Sequence, residues 1–269
     1  MTIPEEQLKT WSNPGGTANS ITAHTAIRNA LEAADSPVKD KKPEIFLQGS
    51  YRNSTNIRAD SDVDVVAQLN HIWYDDLSGL KPEEKATYER TFVKSNYGAA
   101  DWRKDVEQAL RKKFGTALKS VGSKAFHVVT GPGNMTADVL PAIQFKKYNF
   151  FLSRGVEDFD EGVEFADAAG TLTINYPKLH IRNGEDKNSD ARTKGWYKSS
   201  VRMFKNARNA VRQLPDVRRH TLSNVSCTTY LTGTSVARFS RPITTWSGIS
   251  TTIQSVISDV RTARYPCSG

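Results

Sequence analysis

Apolar positions recur along this chain with two different periods, and the switches between them predict the order of its elements. Over residues 17–35, TANSITAHTAIRNALEAAD, Ala23, Ile27, Ala30, Leu31 and Ala34 fall at helical spacing behind Thr17 and Ser20, either of which suits an N-cap. After the punctuation KDKKP, residues 44–48 and 63–69 are short runs rich in β-branched and apolar side chains, which read as strands joined by a Gly-Ser loop. The helical step returns over 101–118, where Trp102, Val106, Leu110, Phe114 and Leu118 repeat every fourth residue behind Asp101, a candidate cap. Residues 125–130 and 136–143 then read as strands around the turn GPGN, followed by the basic and aromatic run QFKKYNFF. Over 196–213 the period is helical again, with Tyr197, Val201, Phe204, Ala207 and Val211 on one stripe and Lys198, Arg202, Lys205, Arg208 and Arg212 beside it. Strands interleaved with helices imply an α/β or α+β core.

The pattern stops past His220. Ser and Thr supply roughly two-fifths of the remaining residues, lysine disappears and neither period persists. Composition adds three bounds. A chain of 269 residues can bury a sizeable core without staples. Its two cysteines, Cys227 and Cys267, show neither a disulfide framework nor zinc-ligand spacing, so a cytoplasmic protein is expected. The start MTIPEEQLKT lacks an apolar leader, and nowhere do eighteen apolar residues run together, which disfavours secretion and membrane spanning. The formal net charge of +8 suits a polyanionic partner such as a nucleotide or a nucleic acid.

Candidate chemistry concentrates in FLQGSYRNSTNIRADSDVDVVAQL, residues 46–69. Side chains at i and i+2 of a strand share a face, so Asp62 and Asp64 project together while Val63 and Val65 point into the core. Two adjacent carboxylates repel unless a cation sits between them, and hard ions such as magnesium prefer carboxylate oxygens while keeping positions for water and phosphate. Asp138, in MTADVLPAI, is a third carboxylate with no local partner in the sequence. If its strand lies beside the first, three carboxylates converge and can hold two magnesium ions, with Asp138 as candidate general base. Gly49 permits close backbone approach, the amide and hydroxyl of Ser50 can donate to phosphate oxygens, and Arg52 adds charge or braces the loop. Each signal alone has an ordinary alternative: a D-x-D in an edge strand with solvated acids, a solvated Asp beside a turn, a plain Gly-Ser turn.

Taken jointly, G-S, eleven residues, D-x-D in an apolar strand and a distant strand Asp resemble the polymerase-β-like nucleotidyltransferase superfamily. More closely, GSYRNSTNIRADSDVDVV, TADVLPAIQFKKY, TINYPKLHIRNGEDKN and GWYKSSVRMFKNARNAV are similar to the bacterial relatives of cyclic GMP-AMP synthase and oligoadenylate synthase, the CD-NTases of anti-phage CBASS operons. The resemblance covers residues 15–216. It implies an α+β fold, a mixed β-sheet flanked by helices, with a nucleotidyltransferase core over 1–150 and the start of a helical C-terminal domain over 151–216. It also implies Asp62, Asp64 and Asp138 as the metal-binding catalytic triad, Gly49 and Ser50 on the donor triphosphate, and Lys187, Arg202 and Lys205 near phosphates or the base pocket. The implied cofactor is Mg2+, with Mn2+ able to substitute. The implied reaction is attack of a 2′ or 3′ hydroxyl on an α-phosphate, ending in a closed ring. The implied partners are nucleoside triphosphates, a product-sensing effector protein of the same operon and a regulatory protein. Rival readings are transfer of a nucleotide to RNA or protein, and an inactive nucleotide- or RNA-binding relative. Tyr176, Pro177 and His180 in NYPKLH serve equally as a Pro turn and a packed or surface histidine.

The family's continuation, an apolar helical segment of the kind PSY then LYNVP, is missing from 217–269. Codons for SCTTYLTGTSV, shifted by one nucleotide, can encode LYNVPDGNK. The C-terminal helical region is therefore expected to be truncated or frameshifted near 214–220, leaving 217–269 as an irregular Ser/Thr-rich tail.

Overall fold

The computed structural model describes residues 3–58, 62–119, 124–131 and 135–212. The tail over 217–269, and with it the expectation of a shifted frame, lies outside the described residues. In chain order the elements are α1 (Glu5–Ser12), α2 (Ala18–Leu31), β1 (Glu44–Leu47), the single turn α3 (Gly49–Arg52), β2 (Asp62–Asp76), α4 (Pro82–Thr91), α5 (Ala99–Phe114), β3 (Leu118–Lys119), β4 (Phe126–Gly131), β5 (Met135–Ser153), β6 (Val156–Ala166), β7 (Leu172–Asn175), α6 (Pro177–Lys187), α7 (Asp190–Thr193) and α8 (Trp196–Arg212). Among the described residues no helix is long and apolar enough to cross a membrane.

The described residues divide into two compact units, 17–52 with those of 62–182, and 3–16 with 53–58 and 183–212. A boundary at residue 150, expected from the sequence, falls inside β5. The reason is that β5 does not end after the apolar run: it continues to Ser153 because its second half pairs antiparallel with β6.

In the first unit the sheet runs β1-β2-β5-β4-β3, with β6 on β5 and β7 on β6. β2 and β5 are parallel and the other pairs antiparallel, so the sheet is mixed. The strand period decides which residues meet which layer. Odd-numbered Val63, Val65, Ala67 and Leu69 of β2 and Ala137, Val139 and Ile143 of β5 join Ala23, Ile27 and Leu31 of α2 and Trp102, Val106 and Leu110 of α5 in one core. The Trp102 indole N–H also donates to the Ala67 carbonyl at 2.9 Å, which fixes α5 against β2. The opposite face holds a smaller apolar cluster of Val66, Ala142, Val163 and Phe165 with Phe46 and Leu140 at its edge. Tyr88, Tyr148 and Phe151, with Leu77, Leu80, Phe92 and Phe159, form a third cluster between α4 and the long β5–β6 hairpin.

Several local expectations are corrected. α2 ends at Leu31, and Ala34 is exposed beyond it. Thr17 precedes the helix with helical dihedrals and makes no side-chain cap, while the Ser20 hydroxyl donates back to the Thr17 carbonyl at 2.7 Å. α5 starts two residues earlier than expected: Gly98 is its N-cap and Asp101, one turn in, accepts the Gly98 N–H at 2.9 Å. Leu118 leaves that helix and pairs with Val128. The Gly-Ser loop is a helical turn.

In the second unit α1 packs against α8, and Leu8, Ile57, Met203 and Ala207 are buried. The buried stripe of α8 is Ser200, Met203 and Ala207, offset from the expected one, and Tyr197, Val201 and Phe204 are only half-buried. Arg202 explains part of the offset. Its guanidinium is buried and donates to the carbonyls of Ser12 and Ser54 and to the Ser199 hydroxyl. A buried charge is tolerable when its donors are matched in this way.

Candidate active site

β1 ends at Leu47, yet the Gln48 N–H still donates to the Asp64 carbonyl at 2.9 Å, carrying the β1–β2 ladder up to Gly49. There the chain turns with φ +67°, the left-handed region that favours glycine, and α3 begins. A second demand acts at the same residue. A Cβ on Gly49 would stand 2.0 Å from Oδ2 of Asp64, so the carboxylate occupies the space that any other residue would fill. Ser50 is half-buried in α3 and Arg52 is exposed in its last residue position.

The strand period and the register then assemble the acids. Asp62 and Asp64 share one face of β2, and the parallel pairing sets Asp64 directly against Asp138 and Asp62 against Thr136. The Thr136 hydroxyl donates to Oδ1 of Asp62. On the other side of β5, the antiparallel register sets His127 of β4 against Asp138. Nδ1 of His127 lies 2.9 Å from Oδ1 of Asp138; towards an ionised carboxylate, which only accepts, Nδ1 is the donating nitrogen. Two carboxylates side by side in a parallel pair repel, and an ion between them would offset this cost.

Farther along the same face of β2 lies a polar cluster. Nζ of Lys178, from α6, is 2.8 Å from Glu161 and 3.5 Å from Glu44, and the amides of Gln68 and Gln144 donate to the same Glu161 oxygen at 3.3 and 3.2 Å. Burial pushes the Glu161 carboxyl up, but Lys178, Gln144 and Gln68 together outweigh burial and hold it below its ordinary value. Burial likewise lowers Lys178, and Glu161 and Glu44 more than restore it.

The structure thus sets Asp64 against Asp138 and beside Gly49, and Asp62 on the same face of β2 against Thr136, with Ser50 and Arg52 following Gly49 in α3. Lys187, Arg202 and Lys205 belong to the other unit. Lys187 sits 5.7 Å from the Tyr197 ring, Lys205 is half-buried in α8, and the Arg202 donors are spent on main-chain carbonyls and Ser199. Pro177 is buried at the start of α6, Tyr176 stands edge-on to Phe145, and His180 is exposed. His127 and Thr136 were not among the residues that spacing singled out. Their only sequence signal is an alternating strand pattern, and what makes them neighbours of the acids is register.

The donors fit a hard divalent ion: they are carboxylate oxygens on adjacent strands, one of them lodged where a glycine leaves room. Each carboxylate rests here on a neighbour, and among the described residues no three His, Cys, Asp or Glu side chains are gathered as a metal cage.

No protein-family model matches the chain. It is 43% identical over 209 residues to the cyclic UMP-AMP synthase of Rhodothermus marinus, covering 77% of this chain and 68% of that protein. It is 36% identical over 209 residues to the cyclic nucleotide synthase CdnE01 of Staphylococcus haemolyticus, with the same coverage of 77% and 68%. In three dimensions it is similar to the R. marinus CdnE c-UMP-AMP synthase with Apcpp and Upnpp, at a TM-score of 0.68 and 32% identity over 99% of both chains. It also resembles the Elizabethkingia meningoseptica CdnE cyclic dinucleotide synthase with GTP and Apcpp, at 0.60 and 26% over 94% of this chain and 82% of that one. The fold and its likeness to these synthases define a polymerase-β-like nucleotidyltransferase. More narrowly, the chain belongs to the CD-NTase family of bacterial cyclic nucleotide synthases, whose members generally use divalent metals.

Proposed function

We propose that this protein joins two or more nucleoside triphosphates into a cyclic oligonucleotide second messenger at Asp62, Asp64 and Asp138. The observation that carries the proposal is the parallel register that sets Asp64 against Asp138 while Gly49 opens the space beside Asp64. The three carboxylates would hold Mg2+, or Mn2+ in its place. When bound, the metal supplies positive charge that offsets the α-phosphate and the departing pyrophosphate.

The chain's own groups do the rest. The backbone N–H groups at Gly49 and Ser50 and the Ser50 hydroxyl donate to triphosphate oxygens at the start of α3, and Arg52 adds positive charge close by. A ribose hydroxyl of one nucleotide forms a bond to the α-phosphorus of another, the bond to the bridging oxygen breaks, pyrophosphate leaves, and the hydroxyl proton passes to the Asp138 carboxylate. Repetition within the linear product closes the ring. By the family's role in anti-phage defence, the product is read by an effector protein of the same operon, and synthesis is governed by a regulatory protein. The R. marinus relative is a cyclic UMP-AMP synthase, so UTP with ATP is the first pair to test.

The test is incubation with all four labelled triphosphates and Mg2+ or Mn2+, phosphatase treatment, and chromatography beside Asp62→Ala and Asp64→Ala. A phosphatase-resistant product that both substitutions abolish is expected. Products that phosphatase degrades, or labelled RNA or protein in their place, would overturn cyclisation.

A further inference from the structure

The three candidate carboxylates have different surroundings: Asp62 accepts from the Thr136 hydroxyl, Asp64 lies in the space that Gly49 leaves open, and Asp138 is hydrogen-bonded to His127. His127 is the least expected of these. It sits on β4 opposite Asp138 with about a third of its side chain exposed, and it forms a single hydrogen bond of 2.9 Å to Oδ1. Among the described residues it is the side chain that Asp138 pairs with.

We propose that His127 is a positioning residue that fixes the carboxylate of Asp138 in one orientation, presenting Oδ2 to metal and substrate. The proposal rests on the nucleotidyltransferase reading of the site. The argument is geometric. A carboxylate on a free χ2 torsion samples a broad range of orientations. A Nδ1–H bond to one oxygen restricts that torsion before any ligand arrives, and a partner of this kind typically raises metal affinity or activity 10- to 100-fold. The strand supplies the precision: Phe126 and Val128, on either side of His127, are buried and leave its backbone little freedom. Because the bond is made by Nδ1, an Asn amide at position 127 can reproduce the donor at nearly the same place. A Gln amide reaches as far as Nε2 instead.

The experiment measures Mn2+ binding by electron paramagnetic resonance of the free ion, with the full chain and saturating Apcpp, for wild type, His127→Ala, His127→Asn, His127→Gln and Asp138→Asn. Thermal melting of each variant and kcat and KM for nucleotide joining are recorded alongside. Expected is a loss of about 10- to 100-fold in Mn2+ affinity for His127→Ala and His127→Gln, recovery to within about threefold for His127→Asn, and an effect on kcat rather than KM. The proposal is overturned if His127→Ala binds Mn2+ within about twofold of wild type, or if Asn and Gln fall equally. The Asn-to-Gln comparison decides the matter even where His127→Ala does not fold. If Asp138→Asn itself leaves Mn2+ binding unchanged, the reading of the three acids fails and the proposal with it. If Asp138→Asn abolishes binding and His127→Ala does not weaken it, only the role of His127 falls.

Discussion

Replacing Gly49 with alanine tests the site through stability, without any assumption about substrate. Two costs are separable. Alanine must adopt φ +67°, which costs about 1–2 kcal/mol. Its Cβ must also find room 2.0 Å from Oδ2 of Asp64, where carbon and oxygen normally approach no closer than about 3.2 Å, so the carboxylate has to move by about an ångström. Overpacking of that kind typically adds about 1–3 kcal/mol. In an Asp64→Ala background the offending oxygen is gone and only the backbone cost remains. Urea unfolding of wild type, both single variants and the double variant should therefore give a coupling of about 1–3 kcal/mol, with Gly49→Ala less damaging once Asp64 is removed. Activity of the single variant should fall about 100-fold, since a displacement of this size at the reacting centre is worth that much. Equal destabilisation by Gly49→Ala in both backgrounds would refute the steric part of the argument.

Three further outcomes are expected. Arg202→Ala should destabilise the protein by about 3 kcal/mol in urea unfolding, because two main-chain carbonyls lose a charged donor, while Apcpp affinity stays within about threefold; a tenfold loss of affinity at unchanged stability would instead make Arg202 a phosphate ligand. Glu161 is held below its ordinary value, so its contribution is present above the unfolded carboxylate value of about 4.3 and is lost as pH falls through the lower folded value. The stability difference between wild type and Glu161→Gln, followed from pH 7 downward, should shrink in that acid window, and a difference independent of pH would refute the assignment. Mg2+ with Apcpp at about 100 times its dissociation constant should raise unfolding stability by about 2.7 kcal/mol. Asp64→Ala should lose most of that gain, and a full gain in the variant would place the ion elsewhere.

Elements whose side chains report on a single layer were legible from the sequence. The D-V-D-V alternation of β2 gave the correct faces, and the fourfold step of α5 named Trp102, Val106 and Leu110 as core. β6 was not legible, because its outer half, VEDFDE, carries acids at most positions and reads as a polar loop. It is a strand because the continuation of β5 gives it a partner, and such pairing overrides local propensity. The α8 stripe was misread because Arg202, polar by composition, is buried by its bonds to two carbonyls. The two carboxylate strands could be named from spacing, but Thr136 and His127 could not, because a strand's neighbour across a sheet is fixed by register and not by distance along the chain.

The parallel pairing of β2 with β5 also bears on when the site can exist. The bond from Thr136 to Asp62 spans 74 residues, and parallel pairing of this kind cannot be made by a local hairpin. At a synthesis rate of about 5–20 residues per second, β2 leaves the ribosome several seconds before β5 follows it. Throughout that interval the nascent chain carries Asp62 and Asp64 but neither Asp138 nor the strand that aligns it. An enzyme whose product is a signal is thereby silent until its sheet is closed, so incomplete or unfolded copies make no messenger.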